Sequence, residues 1–412
     1  MHFPSSAPRG FVLCALIGVL GLGVACSSSQ PPGSTTEANG PAVSSGPSLF
    51  LLHTTPANGL VLHDARTDES RTLAAGATAK PARAVSPSGR HLAFSYATAD
   101  SSHLTLLDLT TRQTHRVHAA AGTSVAYSLA WHPNQERLAV GYYRPTDDGG
   151  RGPGGLQVVT PDGTTRDVGC SSVREVLHWL PDGSLAARTD DNLYVVDAGD
   201  CATQASLDIR RMHHLRYAPT GQQMAYIYRE LEYDRDRGEY VPDSSFVLSG
   251  PDGANPETLF GNERHARHHR WAPETNEVAL DVRVEASGHR QVVVYDGSRP
   301  TFLVSPDRTT ADQVHPRWSP SGNRIAFTLR SDASSQAAVR VKGQTRRLVR
   351  VDGAVWGWPD ARSVVVPGPD SVRVKALNGT TRYAHSTPQP PLPVWPPPPA
   401  SPPPQPPTPA FP

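Results

Sequence analysis

The hydrophobic and polar positions of this 412-residue chain follow one phrase that recurs along its central part. The phrase is an aromatic residue, any residue, a proline, a short polar turn, and then an aliphatic residue, an alanine and a hydrophobic residue. Its clearest copies are WSPSGNRIAF, starting at Trp318, and WHPNQERLAV, starting at Trp131. Seven copies are recognisable, and their prolines are Pro87, Pro133, Pro181, Pro219, Pro273, Pro320 and Pro359.

Each phrase predicts a β-hairpin. The proline has no N–H and a restricted φ angle, so it ends one strand, and the glycine, asparagine or aspartate after it supplies the turn. The aliphatic-alanine-hydrophobic run forms the next strand. Successive phrase prolines are 38 to 54 residues apart, which is the repeat length of a four-stranded propeller blade. The pattern therefore predicts an all-β chain folded as a β-propeller of four-stranded blades.

These phrases resemble the Trp-Ser-Pro-Asp-Gly repeat of TolB-type propellers, a family that includes the propeller domains of prolyl oligopeptidase-like enzymes. The resemblance covers residues 49–385, and the full Pro-Asp-Gly form stands in the key turn at Pro181-Asp182-Gly183. It is specific for architecture. It says less about function, because the family spans scaffolds, protease-gating domains and a few lyases.

The number of blades depends on the ends of the predicted propeller. Turn-forming residues between a third and a fourth strand occur at eight places, and the first, His63 to Arg66, precedes every proline phrase. An eighth blade would therefore take its missing first strand from the other end of the chain, where Pro393-Val394-Trp395 is a candidate. Because prolines are poor ladder partners, we predict seven blades, with eight as the alternative.

Residues 1–25 predict an export signal, with Arg9 at the positive start and an apolar core from Phe11 to Val24. The small residues before Cys26 resemble a bacterial lipobox, which implies cleavage before Cys26 and a lipid on its thiol. Gly23 replaces the usual aliphatic residue, so ordinary secretion is the alternative. Ser27 follows the cysteine, and in a Gram-negative cell this pattern implies the outer membrane, facing the periplasm.

Two biased segments flank the predicted propeller. Residues 26–48 are rich in serine, proline and glycine and predict a flexible linker. Residues 386–412 are proline-rich and predict a polyproline II or disordered tail. We interpret the tail as a spacer in the cell envelope, and a ligand for a proline-recognition domain is the alternative.

Composition and charge narrow the choice of partners. The chain has 41 prolines, 34 glycines and three methionines, as expected of an extracytoplasmic all-β domain. Its formal net charge is +1, whereas a nucleic-acid-binding protein needs a concentrated basic surface. We therefore expect no nucleic-acid partner, and a monomer that meets the membrane through its lipid.

Four cysteines leave one possible disulfide. Cys14 belongs to the signal and Cys26 is the lipid site, so Cys170 and Cys201 are the pair that remains. An oxidising compartment permits the bond. Strand order argues against it, because Cys170 follows a fourth strand and Cys201 lies in a turn at the opposite end of a blade. The pairing stays open at this point.

The most distinctive candidate site consists of His214, His268 and His315. Each lies five residues before a phrase proline, in three consecutive blades, so the three occupy equivalent positions near the start of an innermost strand. Neutral imidazoles that converge at a channel mouth are ligands of Mn, Fe or Zn sites, and some lyases with the TolB-type repeat resemble this arrangement. The alternative is that each histidine hydrogen-bonds a loop carbonyl and that no cofactor is present.

Two functions are consistent with these features. The sequence has no Gly-x-Ser-x-Gly elbow, and a proline tail follows residue 385 where related peptidases carry their hydrolase domain, so we do not expect a peptidase. Our first hypothesis is a lipid-anchored, non-enzymatic cell-envelope scaffold whose propeller face binds a protein or a cell-wall component. The alternative is a metal-dependent polysaccharide lyase or hydrolase that uses His214, His268 and His315.

Overall fold

The computed structural model describes residues 49–394, apart from 56–58, 66, 148–150, 172, 235–238, 262–264, 286, 305–309, 333, 343–347, 369–370 and 387–391. The predicted export signal, Cys26, the linker and the tail from residue 395 onward lie outside the described residues. Within those residues, no helix is long and apolar enough to span a membrane.

The described strands form eight antiparallel sheets of four, which are the blades of a β-propeller. Blade 1 contains β32 (Leu392–Val394), β1 (Phe50–Thr54), β2 (Leu60–Asp64) and β3 (Glu69–Ala74). Blade 2 contains β4 (Thr78–Val85), β5 (His91–Ala97), β6 (Ser101–Asp108) and β7 (Thr114–Ala121). Blade 3 contains β8 (Ala126–Trp131), β9 (Leu138–Pro145), β10 (Arg151–Val159) and β11 (Thr165–Asp167). Blade 4 contains β12 (Glu175–Trp179), β13 (Leu185–Arg188), β14 (Asn192–Val196) and β15 (Thr203–Asp208).

The remaining four blades follow in chain order. Blade 5 contains β16 (Met212–Tyr217), β17 (Met224–Asp234), β18 (Glu239–Ser249) and β19 (Glu257–Phe260). Blade 6 contains β20 (His269–Trp271), β21 (Val278–Arg283), β22 (Arg290–Tyr295) and β23 (Pro300–Phe302). Blade 7 contains β24 (Asp312–Trp318), β25 (Arg324–Arg330), β26 (Ser335–Val341) and β27 (Leu348–Asp352). Blade 8 contains β28 (Gly357–Asp360), β29 (Ser363–Pro367), β30 (Ser371–Ala376) and β31 (Thr381–Ser386).

The prediction of seven blades was wrong, and the alternative of eight is what the structure has. β32 pairs with β1 in the register Phe50↔Val394, Leu51↔Pro393 and Leu52↔Leu392, and so completes blade 1. This strand lies in the segment that the sequence predicted as tail. Because β32 has a neighbour along one edge only, it tolerates the proline that a central strand would exclude.

The hydrophobic core lies between the blades. The first strands of neighbouring blades contact one another around the central channel, whereas fourth strands such as β15 are largely exposed. Val278 and Leu280 of β21 are buried against blade 5, and Ala279 between them is buried against Trp318 of blade 7. This alternation explains the aliphatic-alanine-hydrophobic run, since successive side chains of a strand point to opposite faces.

Four tryptophans of the phrase connect their blade to the preceding one by a hydrogen bond. The indole Nε1 of Trp271 donates to the carbonyl of Arg216 at 3.1 Å, and that of Trp318 donates to the carbonyl of Arg270 at 3.0 Å. Two further bonds of this kind are Trp179 to Ala130 and Trp358 to Arg317. A buried indole needs such an acceptor, which accounts for the tryptophan in these copies.

Cys170 and Cys201 form a disulfide with their Cα atoms 5.5 Å apart, so the strand-order argument against pairing was wrong. That argument assumed a full-length fourth strand, but β11 has only three residues. β11 itself lies beside the neighbouring blade, because its Arg166 donates to the Ala198 carbonyl at 2.7 Å in the turn between β14 and β15. Cys170 is therefore beside that turn, and it is buried.

Candidate functional site

The three predicted histidines lie at or just before the first strands of blades 5, 6 and 7. His214 and His315 occupy β-bulges, where the pairing of β16 with β17 and of β24 with β25 shifts register. Both have left-handed backbone, with φ angles of 57° and 56°. A non-glycine residue in this region is strained, and bulges redirect side chains near functional sites. His268 directly precedes β20.

His268 and His315 contact each other. Their ring centroids are 4.0 Å apart. His268 Nδ1 lies 2.8 Å from Asp281 Oδ2, and because an ionised carboxylate only accepts, Nδ1 is the donor. The Nε2 of His268 is then left with a lone pair. A histidine oriented by a carboxylate in this way is suited to bind a metal ion or to accept a proton.

Asp281 and Arg290 form the buried support of this histidine pair. Asp281 is fully buried, and its Oδ1 accepts from Arg290 Nε at 2.7 Å. Burial raises the pKa of Asp281, but the hydrogen bond from His268 and the charge of Arg290 outweigh it, and the net pKa lies below the ordinary value. The carboxylate is therefore charged at neutral pH. It also accepts from the His315 backbone N–H at 3.3 Å, which ties blade 7 to blade 6.

His214 is the third histidine of the predicted set. Burial, the charge of Arg229 and the neighbouring His268 lower its pKa, so it is close enough to sense His268. Among the described histidine, cysteine and carboxylate side chains, a group of three ligand atoms within 4.8 Å of one another occurs at a different place, His63, Asp68 and His385. A metal ion on His214, His268 and His315 would require their rings to turn, and it stays a prediction.

Three arginines that we did not predict stand two residues after these histidines. They are Arg216, Arg270 and Arg317, and each lies three residues before a phrase proline. Burial and the charges of Arg317 and Arg216 lower the pKa of Arg270 to about 9. Burial and the charge of Arg216 lower that of Arg317. Since the charge of Arg216 also lowers the pKa of Arg317, the three guanidinium groups lie close enough to influence one another, and they stay protonated at neutral pH.

The arginine cluster, Arg216, Arg270 and Arg317, has little hydrogen bonding of its own. Arg270 donates to the carbonyl of His269 at 2.8 Å, and Arg317 Nε donates to the carbonyl of Trp356 at 3.3 Å. Desolvation lowers the pKa of Arg216 although this residue is accessible to water, as expected in a narrow channel. No carboxylate among the residues that the structure describes pairs with the three. The recurrence of arginine at one phrase position was the sequence signal that identifies them.

The buried His269 predicts that the fold loses stability in acid. His269 is 1% exposed and packs against the edge of Phe246, with ring centroids 5.2 Å apart. Burial, followed by the charges of Arg216 and Arg270, lowers its pKa from 6.5 to about 3. The folded state therefore holds His269 neutral. The unfolded chain binds the proton more readily, so stability is lost as the pH falls through 6.5 toward 3.

We expect His269 alone to reduce the free energy of unfolding by about 2 kcal/mol between pH 7.5 and pH 5. Urea denaturation of the wild type and of His269→Leu at both pH values measures this, because leucine cannot titrate. Between pH 7.5 and pH 5, the free energy of unfolding should fall by about 2 kcal/mol less in the variant than in the wild type. This difference does not depend on how stable the variant is at pH 7.5. Equal pH dependence in the two proteins would contradict the assignment.

No protein-family model and no curated protein matches the chain. Among solved structures it is similar to a eukaryotic initiation factor, at 13% identity and a TM-score of 0.55, covering 86% of this chain and 100% of that one. It also matches TolB from Acinetobacter baumannii at 15% identity and a TM-score of 0.36, covering 73% and 62%. A third match, oligogalacturonate lyase in complex with manganese, has 12% identity and a TM-score of 0.45, covering 72% and 90%. At these identities the likeness shows the β-propeller fold alone.

Proposed function

We propose that this chain is a lipid-anchored cell-envelope propeller of the TolB type that binds a carboxylate-rich ligand in its channel. The ligand is an acidic segment of an envelope protein or an acidic cell-wall polymer. Cys26 carries the lipid, and the propeller acts as a non-enzymatic scaffold.

The observation that supports this function is the arginine cluster. Burial lowers the pKa of all three guanidinium groups, and the charge of Arg216 lowers the pKa of Arg270 and of Arg317 further. Like charges held together without a counter-ion destabilise the free protein, and a bound anion removes that repulsion. Guanidinium is planar and recognises carboxylates through two parallel hydrogen bonds, so a carboxylate-bearing ligand matches the cluster.

An exported location is supported by the Cys170–Cys201 disulfide, because such bonds persist in oxidising compartments and are rare in the cytosol. The signal-like residues 1–25 and the cysteine at position 26 agree with it. In a Gram-negative cell, the proposed location is the periplasmic side of the outer membrane.

Binding of two polyanions to the full-length protein tests the proposal. Poly-glutamate represents an acidic protein segment and polygalacturonate an acidic polysaccharide, so their relative affinities separate the two sources. We expect wild type to bind at least one of them in isothermal titration calorimetry, more weakly at higher salt. Arg216→Gln and Arg270→Gln should each weaken binding about tenfold or more, because each removes a charge-assisted hydrogen bond.

Arg210→Gln is the matched control. Arg210 is an exposed arginine whose charge is already paired with Asp208, the last residue of β15, and its loss should leave the affinity unchanged. The channel variants should melt at or above the wild-type temperature, since each relieves repulsion. Absence of binding by wild type, or equal loss in the Arg210→Gln control, would overturn the proposal.

The second candidate function is a metal-dependent polysaccharide lyase or hydrolase. It is favoured by one observation, the His268 ring that Asp281 orients beside His315. Mn, Fe or Zn is the cofactor that this function implies, with His214, His268 and His315 as the predicted ligands. The same experiments separate the two functions, because an enzyme would cleave the polygalacturonate in a metal-dependent way and a scaffold would release it intact.

A further inference from the structure

A second histidine cluster lies at the junction between blade 8 and blade 1, where the two ends of the chain meet. His63 is on β2, Asp68 is in the turn after it, and His385 is on β31 of blade 8. One ligand atom from each of the three lies within 4.8 Å of the other two. The rings of His63 and His385 stack with their centroids 4.0 Å apart. Blade 1 and blade 8 therefore both contribute potential metal ligands to this cluster.

The spacing of these atoms matches a tetrahedral ion. His63 Nε2 and an Asp68 carboxylate oxygen are 3.4 Å apart. Two ligands bound tetrahedrally to zinc at 2.0–2.1 Å are separated by about 3.3 Å. Two histidines and a carboxylate form a donor set that zinc commonly uses. The small inward movement required of His385 is within the reach of a half-buried side chain.

His63 is already oriented as a ligand. Its Nδ1 lies 2.8 Å from Ser70 Oγ, directly across the β2–β3 pair. Metal-binding histidines typically donate from the second ring nitrogen to such a partner, which fixes the ring and leaves Nε2 for the ion. The Tyr383 hydroxyl forms a hydrogen bond with Nε2. An ion at Nε2 therefore displaces Tyr383.

His53 supplies an independent observation. It is 9% exposed, and neither of its ring nitrogens has a hydrogen-bond partner among the described residues. Its ring centroid lies 5.8 Å from that of His385. Buried polar atoms without partners are rare and commonly indicate a water or an ion. A water bound to a metal at His63 and His385 would supply such a partner to His53.

We propose that His63, Asp68 and His385 bind one zinc-class divalent cation, and that this ion fastens blade 8 to blade 1. The closing strand β32 contributes only three residue pairs to β1. A cross-blade ion adds a second connection at the same junction. Since the ion binds the closed ring and not the unfolded chain, it stabilises the fold in proportion to the logarithm of its concentration.

Zinc titration of the full-length, chelator-treated protein tests the proposal. We expect one equivalent to bind in isothermal titration calorimetry and the melting temperature to rise with zinc concentration. Asp68→Asn and His385→Gln should each weaken zinc binding by at least about tenfold, the loss typical even of outer-shell changes. Asp68 is 80% exposed with φ at 58°, and asparagine tolerates this conformation, so the first variant should fold normally.

Two variants separate ligand binding from a structural effect. Tyr383→Phe removes the hydroxyl that competes for Nε2, so zinc binding should be unchanged or tighter. His118→Gln replaces a half-buried histidine on the fourth strand of blade 2, which also contacts a tyrosine, and it should bind zinc like wild type. No stoichiometric zinc binding by wild type would overturn the proposal. So would binding that survives both ligand substitutions, or is lost instead in His268→Gln.

Discussion

Replacing Arg290 with methionine is expected to lower the free energy of unfolding by about 3–5 kcal/mol, the cost of leaving one partner of a buried ion pair alone. Arg290 is 8% exposed, and Asp281 beneath it is 0% exposed. Arg290 also donates to the carbonyls of His265 at 2.7 Å and Asp281 at 3.0 Å, so three acceptor atoms each lose one hydrogen bond in the variant. Urea denaturation of the full-length protein at pH 7.5 measures the change.

An exposed ion pair and a double variant serve as controls for this prediction. Arg210→Met breaks the pair with Asp208, whose two side chains are 67% and 53% exposed, and it should change stability little. Asp281→Asn combined with Arg290→Met leaves no buried charge, so it should be more stable than Arg290→Met alone. A single variant as stable as the Arg210→Met control would show that Asp281 is not held by Arg290.

The second large effect concerns the disulfide. Replacing Cys170 and Cys201 with alanine should lower the free energy of unfolding by about 3–4 kcal/mol, because the bond closes a loop between residues 31 apart and restricts the unfolded chain. Cys170 is also buried among Val168, Val173 and Trp179, so its sulfur contributes packing. Denaturant unfolding with and without a reducing agent measures the contribution.

Reduction provides the matched comparison for the cysteine variant. Wild-type protein treated with dithiothreitol should unfold near the midpoint of the double-alanine variant, and the variant should not respond to dithiothreitol. Protein made in a reducing cytoplasm should behave like the reduced form. If dithiothreitol leaves the wild-type midpoint unchanged, Cys170 and Cys201 do not form the bond.

The candidate site was only partly predictable from the sequence. The spacing of His268 and His315 relative to their prolines placed them on equivalent strands, and in the structure their rings touch. The arginine cluster carried the same positional signal and was overlooked. Nothing in the sequence pointed to Asp281 and Arg290 as the support of His268, because neither belongs to a repeated position.

The His63–Asp68–His385 group shows why such features escape sequence reasoning. His63 and Asp68 come from β2 and the turn after it, whereas His385 comes from β31, which is far from them along the chain. No local pattern links them. They meet because the ring closes, and ring closure depends on the total rotation of all eight blades.

The sequence by itself determined the blade. Each phrase encodes a hairpin through a proline, a turn residue and an alternating run of side chains. These signals act between residues that are neighbours in the chain. The all-β propeller and its eight turns between third and fourth strands were therefore predictable. Only the tertiary structure decided the number of blades, the Cys170–Cys201 bond and the junction at His63. Each of these depends on contacts between distant segments, as when Leu51 pairs with Pro393, and local sequence patterns do not specify such contacts.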